Sequence, residues 1–127
     1  MVSDGVGFGV IWDNHTIPGH GMRFARLDAQ GNYIGDSVRL DSGEAHASSA
    51  RLLWAGGAYA AVWAEDSASY FRRISERGAL QSNEVLIMSG LWDAPRIRFR
   101  NAAYEIVGIQ ASAQSPTKTI GIKCAPL

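Results

Sequence analysis

The chain has 127 residues, the size of one ordinary domain, of which 46% are hydrophobic and 19% charged. These proportions exclude an intrinsically disordered chain, and the length is sufficient to bury a substantial apolar core. The formal net charge is zero, which excludes a globally basic protein that attracts nucleic acid or acidic membrane through its overall field.

The two halves of the chain carry opposite charge. Residues 1–66 hold eight acidic residues and four arginines, a net charge of −4. Residues 67–127 hold four acidic and eight basic residues, a net charge of +4. Opposite charges on the two ends of a molecule favour contact between the ends of neighbouring copies.

Signals for targeting and redox chemistry are few. Cys124 is the only cysteine, which excludes an internal disulfide bond. The opening MVSDGVGFGV lacks the basic and long apolar regions of a signal peptide, and no apolar run approaches the roughly 18 residues of a membrane span. We therefore expect a soluble protein with no membrane partner, cytoplasmic by default and secreted if a leader has been removed.

The first third of the chain divides into short β-like runs. Residues 6–12, VGFGVIW, are apolar in successive positions, which predicts a strand covered on both faces. Residues 22–27, MRFARL, predict a second strand, and residues 28–32, DAQGN, predict a turn in which Gly31 takes a positive φ angle. Residues 33–40, YIGDSVRL, predict a third strand.

Strands and turns continue to alternate in the rest of the chain. Residues 55–57, AGG, and 100–102, RNA, predict tight turns that lead into aromatic runs at 59–64 and 104–110. We find no helical period, and we predict about ten strands and an all-β fold.

The sequence repeats with a period of about 46 residues. Aromatic residues open three matching runs, at Phe8, Tyr59 and Tyr104. The first two units also match, in order, at Phe24 and Phe71, Arg26 and Arg73, Gly31 and Gly78, Val38 and Val85, and Leu40 and Ile87. A repeat of this length is typical of four-stranded propeller blades.

Each of the first two units carries an aromatic residue followed by Val/Ile–Trp and then by an R-x-D/S-x-x-G hairpin. The residues are Phe8, Ile11, Trp12, Arg26 and Gly31 in the first unit, and Tyr59, Val62, Trp63, Arg73 and Gly78 in the second. The motif resembles the repeats of uncharacterised bacterial β-propeller-like proteins over nearly the whole chain. The resemblance implies a propeller-like fold of four-stranded antiparallel blades and implies no particular activity. The third unit departs from it, with Gly108 in place of the tryptophan.

The predicted units cover residues 5–48, 49–93 and 94–127 of a single repeat domain, about 2.75 blades. We expect the first unit to lack its innermost strand and the last its outermost. A partial ring leaves sheet faces and edges exposed. We therefore predict a cyclic head-to-tail homo-oligomer, most simply a dimer, unless the chain is a section of a longer propeller. A single β-sandwich or barrel is the alternative fold.

The loop over residues 13–21, DNHTIPGHG, is a candidate ligand-binding loop. It holds Asp13, His15 and His20, whose side chains are of the types that ligate divalent metals. Their spacing matches no standard ligand motif, so we assign no metal and expect either a solvated loop or polar recognition.

Trp92 and Asp93 form a second candidate, in the stretch SGLWDAP at 89–95, which we predict to be a loop between blades. An exposed aromatic ring next to a carboxylate suits a sugar, because the ring stacks on the sugar and the carboxylate accepts bonds from its hydroxyls. The alternative is that Trp92 covers the edge of a blade as a packing residue.

Arg96, Arg98 and Arg100 lie on one face of a predicted strand, with Ile97 and Phe99 on the other. No aromatic stripe accompanies the arginines, so a nucleic-acid surface is not expected. We predict that they lie at the subunit interface, where acidic residues such as Asp36, Asp41 or Glu44 of the next copy pair with them.

These features favour a non-enzymatic binding module that recognises a glycan or a protein through the loops of a propeller-type scaffold, with no cofactor and no assigned catalytic residue. Two alternatives stay open. One is a metal-assisted hydrolase whose site lies at the ring centre or subunit interface. The other is a purely structural section of a propeller.

Overall fold

A computed structural model describes residues 1–14, 21–42, 47–66, 68–89, 92–112 and 115–124, and only the backbone at 88, 92–94, 109–112 and 115–124. The strands are β1 (Val2–Ser3), β2 (Phe8–Asn14), β3 (Gly21–Leu27), β4 (Tyr33–Arg39), β5 (Ala47–Ala55), β6 (Ala58–Glu65), β7 (Ala68–Ser75), β8 (Val85–Ser89), β9 (Trp92–Arg100), β10 (Ala103–Ser112) and β11 (Ser115–Cys124).

The strands form three antiparallel sheets. Their strand orders are β1-β2-β3-β4 in the first sheet, β5-β6-β7-β8 in the second and β11-β10-β9 in the third. The prediction of an all-β, antiparallel fold is confirmed. None of the three sheets closes into a barrel within the described residues.

One detail of the strand count is corrected. The first unit was expected to lack its innermost strand, but Val2 and Ser3 pair with Gly9 and Phe8 to form a short strand in that position. The sequence MVSD carries too few apolar residues to signal a strand, and a partner strand is what holds it extended. β5 and β9 also begin two residues before the predicted unit boundaries, at Ala47 and Trp92.

The R-x-D/S-x-x-G motif forms the hairpin turn between the third and fourth strands of the first two sheets. The side-chain oxygen of Asp28 accepts backbone N–H bonds from the residues two and four positions later, at 2.9 and 2.8 Å. Ser75 Oγ accepts the equivalent bonds at 3.2 and 3.0 Å. Gly31 and Gly78 close the turns at φ angles of 86° and 88°, which favour glycine. The motif is therefore a turn device, and its chemistry is structural.

Strand β6 is buried along its whole length because it contacts both neighbouring sheets. Tyr59, Ala61 and Trp63 point to the first sheet, and Ala60 and Val62 point to the third. The core residues they meet are Met22, Phe24 and Leu40 of the first sheet and Tyr104 and Ile106 of the third. We call the face of a sheet that points to the preceding sheet its front face and the opposite face its back face.

Both sheet–sheet contacts use the same aromatic arrangement. Tyr59 lies on Phe24 of the preceding sheet with ring centroids 4.9 Å apart and planes at 56°. Tyr104 lies on Phe71 of its preceding sheet at 5.4 Å and 52°. Tilted pairs at these distances stabilise a contact beyond the area they bury. The sequence repeat is therefore also a repeat of the packing between sheets.

The hydroxyl groups of these tyrosines reach the same place. Tyr59 Oη donates to Asp4 in the β1–β2 connection at 2.5 Å, and Tyr104 Oη donates to the Ala55 carbonyl, next to the β5–β6 connection, at 3.4 Å.

In the parts of the chain that the structure describes, no helix has the length and apolar character that a membrane span requires.

Candidate binding face

Matching register identifies equivalent positions in the first two sheets. The paired residues are Phe8–Leu27 and Trp12–Arg23 in the first sheet, and Tyr59–Ile74 and Trp63–Tyr70 in the second. Phe8 is thus equivalent to Tyr59, Trp12 to Trp63 and Leu27 to Ile74. These residues lie on the front face of their sheets, because the alternate residues Gly9 and Ile11 point to the second sheet.

The two front faces differ in what covers them. Tyr59, Trp63 and Ile74 are 0% exposed, since the first sheet packs on them. Phe8 and Trp12, at the same positions of the first sheet, are only partly buried. Their face points away from the second sheet; its apolar residues are Phe8, Val10, Trp12, Ala25 and Leu27, with Tyr33 at its edge and Arg23 opposite Trp12. Phe8, Val10, Trp12 and Leu27 are partly buried, Ala25 is buried and Tyr33 is exposed.

A cavity of about 340 Å³ lies at the edge of this face. Trp12 and Tyr33 line it together with Gly35, Asp36 and Ser37, and Tyr33 is 67% exposed. Two aromatic rings beside a carboxylate are the groups that stack on a sugar ring and accept bonds from its hydroxyls. The sequence placed this combination at Trp92 and Asp93 instead.

Tyr33 was missed from the sequence, although a signal was present. It follows the turn that ends at Gly31 and stands opposite Leu27 across the β3–β4 pair. The equivalent residue of the second unit is Leu80, which bridges to Ile74. An alignment of the two units shows the aromatic residue Tyr33 where the second unit has Leu80, and this difference was the available signal.

Cationic groups border the apolar face. Arg23 stands opposite Trp12 on the front face and donates from Nε to Ser37 Oγ at 3.0 Å. Arg39 pairs with Asp41 at 2.8 Å. Asp41 is only 5% exposed, so its carboxylate is held inside its own chain. The pairing of Asp36, Asp41 or Glu44 with arginines of another copy stays a prediction; Asp36 is exposed and Glu44 lies outside the described residues.

The joint between the first two sheets is fixed by a charged hydrogen bond. Asp4 accepts from Tyr59 and from the backbone N–H groups of Val6 and Gly7, at 2.5, 2.9 and 2.7 Å. The Tyr59 hydrogen bond is the largest influence that lowers the pKa of Asp4 to about 2. Burial, aided by the same bond, raises the pKa of Tyr59 to about 12.

A second distinctive surface lies at the other end of the row of sheets, on the back face of the third sheet. Arg96, Arg98 and Arg100 are exposed there, while Ile97 and Phe99 pack against the second sheet from the opposite face of β9. Arg98 forms an ion pair with Glu105, which stands opposite it on β10. The arginine side chain is 65% exposed and that of Glu105 10%.

The remaining candidates are not brought together by the described structure. Asp13 is partly buried on β2, and His15 and His20 lie outside the described residues. Trp92 and Asp93 were expected in a loop, but their backbones belong to β9 and pair with Gln110 and Ile109. Extension of β9 to Trp92 is favoured because β10 offers it a partner strand along that length.

Groups for acid–base or metal chemistry are sparse among the described residues. Burial raises the pKa of the Glu65 carboxyl, which accepts a hydrogen bond from Trp63 Nε1 at 3.3 Å in the core. No cluster of three or more His, Cys, Asp or Glu side chains suited to a metal ion occurs in the described part of the chain. The most developed candidate site is therefore the front face of the first sheet.

Comparisons with known proteins give no match. No protein-family model, no curated protein and no solved structure is similar to the chain at a significant level.

Proposed function

We propose that the protein is a non-enzymatic binding module on a propeller-type repeat scaffold, and that the front face of the first sheet binds a protein partner. One observation carries the proposal. The residues of the second sheet equivalent to Phe8 and Trp12 are completely buried under another sheet, whereas Phe8 and Trp12 are partly exposed. Aromatic residues therefore stand at the same two positions of both front faces, completely covered in the second sheet and partly exposed in the first.

The energetics favour this use. Completely burying a large apolar side chain is worth about 1.5–3 kcal/mol, and the face offers Phe8, Trp12 and Leu27 for burial. Association costs on the order of 4–15 kcal/mol in lost motion, so a few well-packed anchors must supply most of the difference. Tryptophan and tyrosine are the usual anchors, which assigns that role to Trp12 and Tyr33.

The test uses one disruptive variant and one matched control. Trp12→Arg places a charge on the face, and Leu86→Arg places the same charge at a residue on β8 that is 56% exposed. Proteins captured from a lysate of the source cells are purified and titrated against each variant by calorimetry. We expect Trp12→Arg to raise the dissociation constant of the captured partner by roughly thirty-fold or more. Leu86→Arg should change that constant by no more than about three-fold. A partner that is insensitive to Trp12→Arg, or no partner at all, contradicts the proposal.

A glycan is the second candidate ligand, and the cavity between Trp12 and Tyr33 favours it because Asp36 lies beside the two rings. Asp36→Asn distinguishes the two functions. Asparagine loses the charge and one of the two acceptor oxygens, which weakens the bonds from sugar hydroxyls and leaves the apolar face unchanged. Binding on a glycan array that falls with both Trp12→Ala and Asp36→Asn identifies a sugar, and binding that persists in Asp36→Asn excludes this site for it.

A further inference from the structure

The back face of the third sheet differs from the other two back faces at two register positions, and the first is a pair of opposed residues. In the first sheet the pair is Val2 and Gly9, and in the second it is Leu53 and Ala60. In the third sheet the equivalent pair is Arg98 and Glu105. Small or apolar side chains at this position have become an ion pair.

The position matters because it lies under the next sheet. A Cβ atom on Gly9 would lie 2.5 Å from the Tyr59 ring, so the tyrosine of the following sheet rests directly on this residue. Ala60 and Leu53 belong to the cluster that receives Tyr104. A sheet docked on the third back face would place its own aromatic residue on Arg98 and Glu105. Removing such charges from water costs several kcal/mol unless the partner supplies new hydrogen bonds.

A second position changes in the same sense. In the two existing sheet–sheet contacts, the rings of Phe24 and Phe71 pack against the tyrosine of the next sheet. They stand opposite Ile11 and Val62 in the register. In the third sheet the residue opposite the equivalent Val107 is Gly121. The aromatic partner for a following sheet is therefore missing from the sequence at that register position.

We propose that the third sheet is a terminal cap, so that the row of sheets grows only at the front face of the first sheet. Terminal repeats of stacked proteins carry a polar outer face for this purpose. The partner of the front face is then a β-sheet whose back face bears a small apolar pair and a phenylalanine, as the first and second sheets do. This inference uses the same front face as the proposed function and names its partner class.

Charge opposes docking of the third sheet of another copy on the front face. A head-to-tail contact would place Arg98 and its exposed neighbours Arg96 and Arg100 over a face that carries Arg23. Like charges brought together in a partly desolvated contact oppose association. The cyclic homo-oligomer predicted from the sequence depends on this contact, so the cap and the ring are competing expectations.

The experiment removes the cap and asks whether copies then associate. Arg98→Leu with Glu105→Ala restores the Leu53–Ala60 pair of the second sheet, and such a replacement of an ion pair is usually tolerated by the fold. Adding Gly121→Phe also restores the aromatic partner. Sedimentation velocity of the full chain over micromolar concentrations gives the mass of each variant, beside a monomer of 13.7 kDa. Circular dichroism and a thermal melt confirm that each is folded.

We expect the unaltered chain to sediment as a monomer and the double variant to associate with a dissociation constant lower by roughly ten-fold or more. Adding Trp12→Arg to the double variant should return it to a monomer. If the double variant and the variant that adds Gly121→Phe are both folded and both stay monomeric, the cap is contradicted while the proposed function stands. Association that ignores Trp12→Arg contradicts the front face and thus the proposed function. An unaltered chain that is oligomeric and is dissociated by Arg98→Glu supports the ring and overturns the cap.

Discussion

Trp12 and Trp63 occupy the same position in two successive sheets, and their surroundings differ completely. Trp63 is 0% exposed between the first sheet and β7, where it stacks on Tyr70 with ring centroids 6.1 Å apart. Trp12 is partly exposed and faces Arg23 instead of a tyrosine. The same residue type at the same register can therefore serve a core or a surface, and what decides is whether a neighbouring sheet is present. A comparison of equivalent residues therefore separates the stability that comes from within a sheet from the stability that comes from its contact with a neighbouring sheet.

The largest expected difference is between alanine substitutions at these two tryptophans. Trp63→Ala removes a completely buried ring and should destabilise the fold by about 3–5 kcal/mol. Trp12→Ala should cost roughly 1 kcal/mol or less, because its ring is already partly in contact with water. Urea unfolding of both variants measures the difference. Equal losses would contradict the assignment of Trp12 to an open face.

Gly9 and Ala60 provide the next comparison. A methyl group on Gly9 would lie 2.5 Å from Tyr59 Cε1 and 3.0 Å from Phe24 Cε2, so the Tyr59–Phe24 pair has to move apart. We expect Gly9→Ala to destabilise the chain by about 2–3 kcal/mol, the upper part of the range for overpacking. Ala60→Gly, at the equivalent position, only removes a methyl group and should cost roughly 1 kcal/mol. Denaturation midpoints of the two variants settle the order, and a harmless Gly9→Ala would show that the two sheets are not held as close as described.

The two tyrosine hydroxyls differ in the charge of their acceptors. Tyr59 donates to the Asp4 carboxylate and Tyr104 to a carbonyl at 3.4 Å. A bond to a charged group is worth more, so Tyr59→Phe should cost about 1.5 kcal/mol near neutral pH and Tyr104→Phe roughly 0.5 kcal/mol. Thermal melts at pH 7 measure both, and a larger loss from Tyr104→Phe would reverse the comparison.

The same bond sets an acid dependence. The pKa of Asp4 is lowered from 3.8 to about 2 in the folded chain. The unfolded chain therefore binds a proton at this carboxylate more tightly than the folded chain does. Its stabilising contribution is therefore complete above pH 4 and is lost as the pH falls from about 4 to about 2. Tyr59→Phe and Asp4→Asn should both reduce this loss in melts recorded between pH 5 and pH 2. An unchanged acid slope in both variants would remove Asp4 from the joint.

The sequence supported the fold better than the site. The repeat predicts three similar units because the positions that recur, such as Phe24 and Phe71, are those that each sheet needs for its own turn and contact. β1 was missed because two residues held by a partner strand have no pattern of their own. The open front face was not foreseen, since Trp12 and Trp63 look alike in sequence and differ only in whether a sheet covers them. The arginine stripe was visible in the sequence, but the proposal that it caps the row depends on the register that sets Arg98 opposite Glu105.

The smallest expected change in stability comes from a comparison of two hairpins, the one that connects β5 to β6 and the one that connects β9 to β10. Both have two-residue turns with positive φ angles, 62° and 72° at Gly56 and Gly57, and 50° and 58° at Asn101 and Ala102. Glycine takes this conformation without strain, whereas alanine pays roughly 1–2 kcal/mol for it. Ala102→Gly relieves that strain but gives the unfolded chain about 0.5–1 kcal/mol of extra conformational freedom, so the net gain should be roughly 0.5–1 kcal/mol. The substitution also creates Asn-Gly, the preferred pair for this turn. We expect the melting temperature to rise by about 2–4 °C, and the converse change Gly57→Ala to lower it by a similar amount. A fall in Ala102→Gly would mean that the third sheet does not hold its hairpin in the geometry of the second.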